Sequence, residues 1–238
     1  MTCLPNISIS ILRNIVFSLL LLATAQQASA QDVRKDALEK LRRKQLNDSI
    51  PFFRGFQIKA DMVGLIQKMV SDYGQYEVGL RVNLKDKYFP VLELGIGSAN
   101  HTNIITETSY KTSAPYGKIG ADFNILKNKH DIYRMYVGAR YAYTSFKFDI
   151  DHTDIPDPVW GGFTPFSHHD ISASYHWVEA LASVSAKIWG PLHLGWSARY
   201  KLRVRHNDGE LGNVWYVPGY GIKGTSRLSG TFDVILEL

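Results

Sequence analysis

The sequence predicts an all-β fold: an eight-stranded antiparallel up-and-down transmembrane barrel, preceded by a signal peptide and a short helical segment. Three observations carry that expectation. Eight segments alternate apolar and polar residues with a period of two, the signature of strands with two unlike faces. An even strand count lets an antiparallel sheet close on itself. The connections between the segments alternate short and long, which puts all the short ones at one end, as in outer-membrane barrels.

Residues 1–30 carry one charge, Arg13, then the apolar run Ile15–Ala25, then Ala28-Ser29-Ala30 before Gln31. A run of about eleven residues is too short to span a bilayer, which takes ~20. The small-x-small ending is that of a signal-peptidase site. The expectation is a cleaved secretory signal over 1–30, with a buried helix of a cytosolic fold as the rival. The single cysteine, Cys3, leaves with the signal. The mature chain is then expected to need no disulfide, thiol chemistry or Cys-based metal site.

The chain has 27 Lys+Arg and 22 Asp+Glu, a formal net charge of +5. Much of that excess sits outside the strands, since residues 51–238 hold 20 basic and 18 acidic residues. A nucleic-acid binder would concentrate a basic stripe there, so no nucleic-acid partner is expected.

Residues 31–53 read as a periplasmic helix and linker. Val33, Ala37, Leu38 and Leu41 share one stripe, with Asp36–Lys40 and Glu39–Arg43 at i,i+4, and Asn47-Asp48-Ser49-Ile50-Pro51 ends the helix. A lid or partner-contact role is the sharper alternative to a solvated linker. The barrel is expected over 54–238.

Each strand follows from its alternation. Phe56–Met62 turns Lys59 and Asp61 to the polar face. Tyr76–Asn83 turns Glu77 and Arg81 there. Tyr88–Gly97 turns Glu93, with Pro90 near its start marking an edge or bulge. Lys118–Ile125 places Lys118 and Asp122 on that face, and Tyr133–Tyr141 places Arg134 and Arg140. Val178–Ile188 adds Glu179 and Lys187, and Leu192–Arg203 adds Arg199, Lys201 and Arg203. Thr231–Leu238 adds Asp233 and Glu237, with Ile235 the apolar exception. The short connections are 85–87, 127–130 and 190–191. The long ones lie near 66–74, 98–117, 149–174 and 205–226.

At this point the chain resembles the small eight-stranded outer-membrane barrels of the OmpA/OmpX type. More narrowly, it is similar to an uncharacterised family of outer-membrane barrels from Bacteroidota. The resemblance covers roughly 52–238. It rests on Lys87-Tyr-Phe-Pro-Val-Leu-Glu-Leu-Gly-Ile-Gly97, Trp189-Gly-Pro-Leu-His-Leu-Gly-Trp-Ser-Ala-Arg-Tyr200 and Trp215-Tyr-Val-Pro-Gly-Tyr-Gly221. It implies an outer-membrane location in a Gram-negative cell and no particular activity. Its implied partners are outer-membrane lipid, lipopolysaccharide and the barrel-insertion machinery. The sequence departs from many such barrels in ending on Leu238 rather than Phe or Trp.

If the uncharged face meets lipid, the charged face fills the lumen. A Lys or Arg at mid-bilayer on the lipid face costs ~2–4 kcal/mol, and the apolar stripe has none. An eight-stranded barrel has room only for its own side chains. The sixteen charges above are therefore expected to interlock as a plugged lumen rather than line a pore. Two aromatic girdles are expected: Tyr88, Tyr133 and Trp189 beside the short turns, and Tyr143, Phe146, Tyr175 and Trp177 near the long-loop end.

The outer loops hold Trp160, Phe163, Phe166, Trp215 and Tyr216, which could contact a ligand or partner, the alternative being loop packing over the barrel mouth. Asp149–Asp157 with His168-His169-Asp170 is the one cluster of metal-capable side chains. It lacks EF-hand glycine and terminal Glu and has no zinc spacing. No metal or cofactor is expected. Two other functions stay open. A lipid A-modifying hydrolase would use His176 with Ser172 or Ser174, but no orienting acid is evident. A soluble periplasmic lipocalin-like protein would turn the apolar face inward around a hydrophobic ligand.

Overall fold

The computed structural model describes residues 34–42, 44–45, 49, 51–156 and 159–238, with the side chains of 153–156, 164 and 165 left aside. The signal-peptide expectation over 1–30 lies outside the described residues. Two compact units are resolved, 1–50 and Pro51–Leu238. In the first, residues 34–42 are helical, with Leu38 and Leu41 exposed.

The second unit is a closed antiparallel barrel of eight strands: β1 Phe53–Asp61, β2 Tyr73–Leu84, β3 Tyr88–Asn103, β4 Thr108–Asn124, β5 Tyr133–Pro156, β6 Phe163–Trp189, β7 Leu192–Asn207 and β10 Ser226–Glu237. Helix α1, Met62–Val70, joins β1 to β2. A two-residue hairpin, β8 Tyr216–Val217 with β9 Gly221–Ile222, lies between β7 and β10. Each sequential strand pairs with the next, and β1 closes on β10 with Gln57 opposite Glu237 and Asp61 opposite Asp233. The seam is finished by Leu238, whose N–H donates to Phe56 O at 2.8 Å and whose carbonyl accepts from Phe56 N–H at 3.1 Å. Gly55 makes this possible. Its φ is +122°, and a Cβ there would sit 2.1 Å from the Leu238 carbonyl oxygen.

All eight alternating segments are strands, and most run further than their alternation predicts. The regions 98–117 and 149–174, expected as long loops, are instead ladders. β3 and β4 pair out to Asn103↔Thr108, and β5 and β6 to Pro156↔Phe163. The pattern is lost there because it inverts: beyond the apolar belt the outward face is polar, as at Lys111 and Lys147, while Tyr110, Phe148 and Ile150 are buried inward, and backbone pairing continues regardless of side-chain type. The 66–74 connection contains most of α1, and 205–226 folds inward, as described below.

The faces are assigned by exposure. Outward lie Phe56, Ile58, Tyr76, Val78, Leu80, Leu92, Leu94, Ile96, Ile119, Phe123, Met135, Val137, Tyr141, Trp196, Tyr200 and Leu236, all exposed and all uncharged. Inward lie the charged residues. A lipocalin-like arrangement requires the reverse, with apolar side chains inside, so that reading does not fit this barrel.

Candidate functional site

The barrel interior is layered. Its middle is an ion-pair lattice. Glu93, on β3, takes Lys59 Nζ at 2.5 Å, Arg199 Nη1 at 3.1 Å, Arg140 Nε at 3.2 Å and Lys118 Nζ at 3.9 Å. Lys118 also reaches Glu77 at 2.8 Å and Glu179 at 3.1 Å, and Arg199 reaches Glu77 at 3.0 Å and Glu179 at 3.5 Å. Asp122 holds Arg81 at 2.7 Å and Arg140 at 2.7 Å. Neutral donors complete the carboxylates: Tyr116 OH donates to Glu77 at 2.9 Å and Trp177 Nε1–H to Glu179 at 2.8 Å. Among the described residues, the buried side chains include seven Lys/Arg (59, 81, 118, 134, 140, 199, 201) and seven Asp/Glu (61, 77, 86, 93, 122, 179, 233). Balance of that kind is what lets so many charges leave water together, since each unpaired one would cost several kcal/mol.

The structure places most of the residues expected in the lumen at this lattice or beside it, with four exceptions, one of them Arg134, which binds Asp86 and Glu237 in the floor cluster. Lys187 is exposed, because it sits at the end of β6 where the wall gives way to solvent. Arg203 is half-buried near the opposite end. Glu237 is half-buried and belongs to a separate floor cluster, bound by Arg134 at 3.0 Å and His193 Nε2 at 2.9 Å. Ile235, the apolar exception, is buried inside.

The floor has a second centre that sequence reasoning missed. Asp86 sits in the tight β2–β3 turn, where Lys85 and Asp86 both have positive φ (56° and 54°). Its carboxylate is fully buried. It accepts from Asn83 Nδ2 at 2.7 Å, lies 2.7 Å from His130 Nδ1 and 3.5 Å from Arg134, and is paired with Arg54. Burial alone would raise its pKa. The His130 and Asn83 hydrogen bonds and the Arg134 and Arg54 charges outweigh burial and hold the carboxyl below its ordinary value.

Above the lattice the lumen turns aromatic. Tyr110, Tyr116, Phe146, Phe148, Tyr175 and Trp177 point inward from β4, β5 and β6 and form one cluster with Val214, Tyr216, Val217 and Tyr220. The β7–β10 connection therefore inserts into the barrel as a plug. Tyr110 OH donates to Tyr216 O at 2.8 Å, Tyr216 OH to Gly74 O at 3.2 Å, and Lys201 Nζ to Gly219 O at 2.7 Å. Outside, Lys223 Nζ meets Asp208 at 2.6 Å.

This corrects one expectation. Phe146, Tyr175 and Trp177 do not form an outer girdle. They fall on the inward parity of β5 and β6, which continues unbroken from Arg140 and Glu179. Tyr143, Tyr88, Tyr133 and Trp189 do face outward. Of the five loop aromatics, Tyr216 is 1% exposed, and Trp215 and Phe166 pack against the plug cluster, with Trp215 stacked on His101 at 4.3 Å. Trp160 and Phe163 are exposed at the tip of the β5–β6 hairpin. The readable signal for the plug is the density of aromatic and β-branched residues in 214–220.

The remaining candidate chemistry is sparse. His169 lies 3.8 Å from Asp149 and 3.6 Å from Asp151 on the exposed hairpin, and no metal-holding group of three or more His, Cys, Asp or Glu occurs among the described residues. His176 Nδ1 lies 2.7 Å from Tyr141 OH, and its ring packs on Tyr143 at 4.5 Å. Among the described residues no carboxylate lies within ion-pair distance to orient it.

A cavity of about 630 Å³ opens beside α1. Asp61, the last residue of β1, caps α1 by accepting from Val63 N–H at 3.0 Å and Gly64 N–H at 3.3 Å. The helix replaces what would be the upper half of β1. The cavity lining includes Arg199 and Lys201 from the lumen and Ile66, Val70 and Leu228 from the outside.

A family model described as Domain of unknown function (DUF6048) matches residues 8–235. No curated protein matches. Among solved structures, the chain is similar to Neisserial surface protein A, at 12% identity and a TM-score of 0.42, over 78% of this chain and 99% of that one. It is also similar to a major outer membrane protein from Thermus thermophilus, at 12% identity and 0.41, over 77% and 98%. A third is Ail, the attachment invasion locus protein of Yersinia pestis, solved with the heparin analogue sucrose octasulfate, at 7% identity and 0.36, over 77% and 93%.

Proposed function

Because the chain belongs to the DUF6048 family, whose description assigns no activity, we propose from its geometry that it is an outer-membrane barrel with a sealed lumen. In this reading residues 1–30 direct export and are removed, and the exposed β5–β6 hairpin, carrying Trp160 and Phe163, serves recognition outside the cell. One observation carries the proposal: the two faces of the wall are segregated, with an uncharged apolar exterior and a charge-balanced interior. Water cannot stabilise both arrangements at once, but lipid outside and a paired lattice inside does so.

The height of the belt agrees. On β5 it runs from Tyr133 to Tyr143, beyond which Ser145 and Lys147 face outward. Ten rises of ~3.3 Å at a tilt of ~40° give about 25 Å, the apolar height of such barrels. Among the described residues no helix is long and apolar enough to cross a membrane, so in this reading the strands make the crossing. The lattice and the plug occlude the lumen in series, which supports a non-conducting barrel.

Membrane fractionation and planar-bilayer recording test the two halves of the reading. The protein is expected to stay with membranes through a carbonate wash and to need detergent for release. Pure protein is expected to insert without stable conductance. Release by carbonate overturns the membrane assignment, and large, steady conductance overturns the seal.

A further inference from the structure

The barrel wall is incomplete on one side. β1 pairs with β10 only as far as Asp61↔Asp233 and with β2 only as far as Ala60↔Val78. Among the described residues, 226–232 of β10 and 73–77 of β2 therefore have no strand partner on the β1 side. On their other sides both stretches lie within the apolar zone, since Leu228 is opposite Tyr200 and Tyr76 opposite Ile96. Unpaired backbone groups at that depth cost several kcal/mol each when they face hydrocarbon.

Helix α1 covers only part of the gap. It is locked against β2: a Cβ on Gly64 would lie 2.6 Å from Gln75 O, and one on Gly74 would lie 2.5 Å from Lys68 Cα. Two glycines facing backbone in this way bring helix and strand into direct contact. The helix also approaches β10, without a glycine-to-backbone contact of this kind, and the cavity of about 630 Å³ lies between them, reaching Tyr73 and Gln75 of β2 as well. It touches Leu228 and Gly230 from the outer face of β10 and Arg227, Ser229 and Thr231 from the inner face. A space lined from both faces of one strand lies at that strand's open edge, within the wall.

The chemistry of this space is graded. Its mouth is formed by Val63, Ile66, Val70 and Leu228, all exposed. Inside, Arg227 stands opposite Lys201 of β7. Among the described residues no carboxylate lies within ion-pair distance of Arg227, and its one hydrogen bond goes to Ile222 O at 3.4 Å. The acid at the cavity, Asp61, is occupied by the α1 cap and lies level with Asp233, six residues along β10 from Arg227. Apolar mouth, unpaired backbone donors and a cation without a carboxylate fit an amphiphile with an anionic head.

We propose that the opening between α1 and β10 is a lateral port that holds one phosphate-bearing lipid of the surrounding leaflet, its acyl chain at Val63, Ile66 and Leu228 and its phosphate at Arg227. The inference rests on the membrane reading above. The lipid completes the wall where β1 stops: its head group accepts hydrogen bonds from the open edge, and its chain continues the apolar exterior.

The test uses the full-length protein folded in dodecyl maltoside, with folding checked by heat-modifiable gel mobility and insertion by vesicle flotation. Native mass spectrometry is then run with dioleoyl phosphatidylglycerol, dioleoyl phosphatidylcholine and inorganic phosphate. One phosphatidylglycerol is expected to stay bound, at least tenfold over phosphatidylcholine. Arg227→Gln is expected to lower that retention at least tenfold, and Gly230→Trp, which fills the mouth, to abolish it. A diazirine-bearing phosphatidylglycerol, which needs no variant, is expected to label 62–70 and 226–232 of the wild-type protein. Equal retention of the two lipids, labelling spread evenly around the belt, or inorganic phosphate binding as tightly as the lipid overturns the port. If the protein does not float with vesicles, the membrane reading falls. If it floats and retains no lipid, the port alone falls.

Discussion

Replacing Glu93 by Gln isolates the contribution of the charged lattice. The change keeps size and one acceptor oxygen but removes a single charge at a side chain with no exposed surface. Four cations, Lys59, Arg199, Arg140 and Lys118, lie within 3.9 Å of that carboxylate. Arg199 and Lys118 keep Glu77 and Glu179, and Arg140 keeps Asp122. Lys59 loses the one acid within ion-pair distance of it among the described residues. Stranding one buried charge costs about 3–5 kcal/mol. With a urea slope of ~2 kcal/mol/M, the unfolding midpoint of the vesicle-inserted protein is expected to fall by about 2 M, read from tryptophan fluorescence and from the heat-modifiable band. The control is Lys147→Ala, which removes a direct pair, 3.2 Å to Asp170, between two exposed side chains. Screening by water holds that loss to ~1 kcal/mol or less. Equal midpoints for the two variants would refute the lattice as a stabilising core.

Two further predictions concern the seam and the floor. Gly55→Val puts a side chain against the Leu238 carbonyl at a positive φ and is expected to block closure of β1 on β10. Gly190→Ala, at φ +52° with nothing within 4 Å, costs only ~1 kcal/mol, so comparable folded fractions on a gel would contradict the role given to the seam. For Asp86, a folded carboxyl held below its ordinary value contributes stability that is fully present above the unfolded value of ~3.9. That stability is lost as pH falls through the lower folded value. Denaturation of the wild-type protein between about pH 5 and pH 2 is expected to show this slope, and Asp86→Asn to flatten it; parallel curves would remove Asp86 from the floor's acid response.

The strand count, the two faces and the tight-turn end are written in the sequence, because alternation with period two is a local property that pleated backbone imposes on any half-buried strand. The inward set from Lys59 to Asp233 follows from the same parity. Parity also reaches further than alternation alone suggests: Phe146, Tyr175 and Trp177 lie on the inward phase of their strands, and only their place at the edge of the expected loops hides it. The tertiary structure decided the rest. No local pattern dictates that β1 stops at Asp61, since the stop depends on a helix cap and on two glycines, Gly64 packed on Gln75 and Gly74 on Lys68, that let helix and strand meet. Nor does sequence alone say that 214–220 turns into the barrel. That choice depends on an aromatic cavity assembled from β4, β5 and β6 and on a lysine, Lys201, placed to bind the carbonyls of the returning loop. Faces are fixed by neighbours along the chain, whereas plugs and openings are fixed by which distant surfaces are left to be filled.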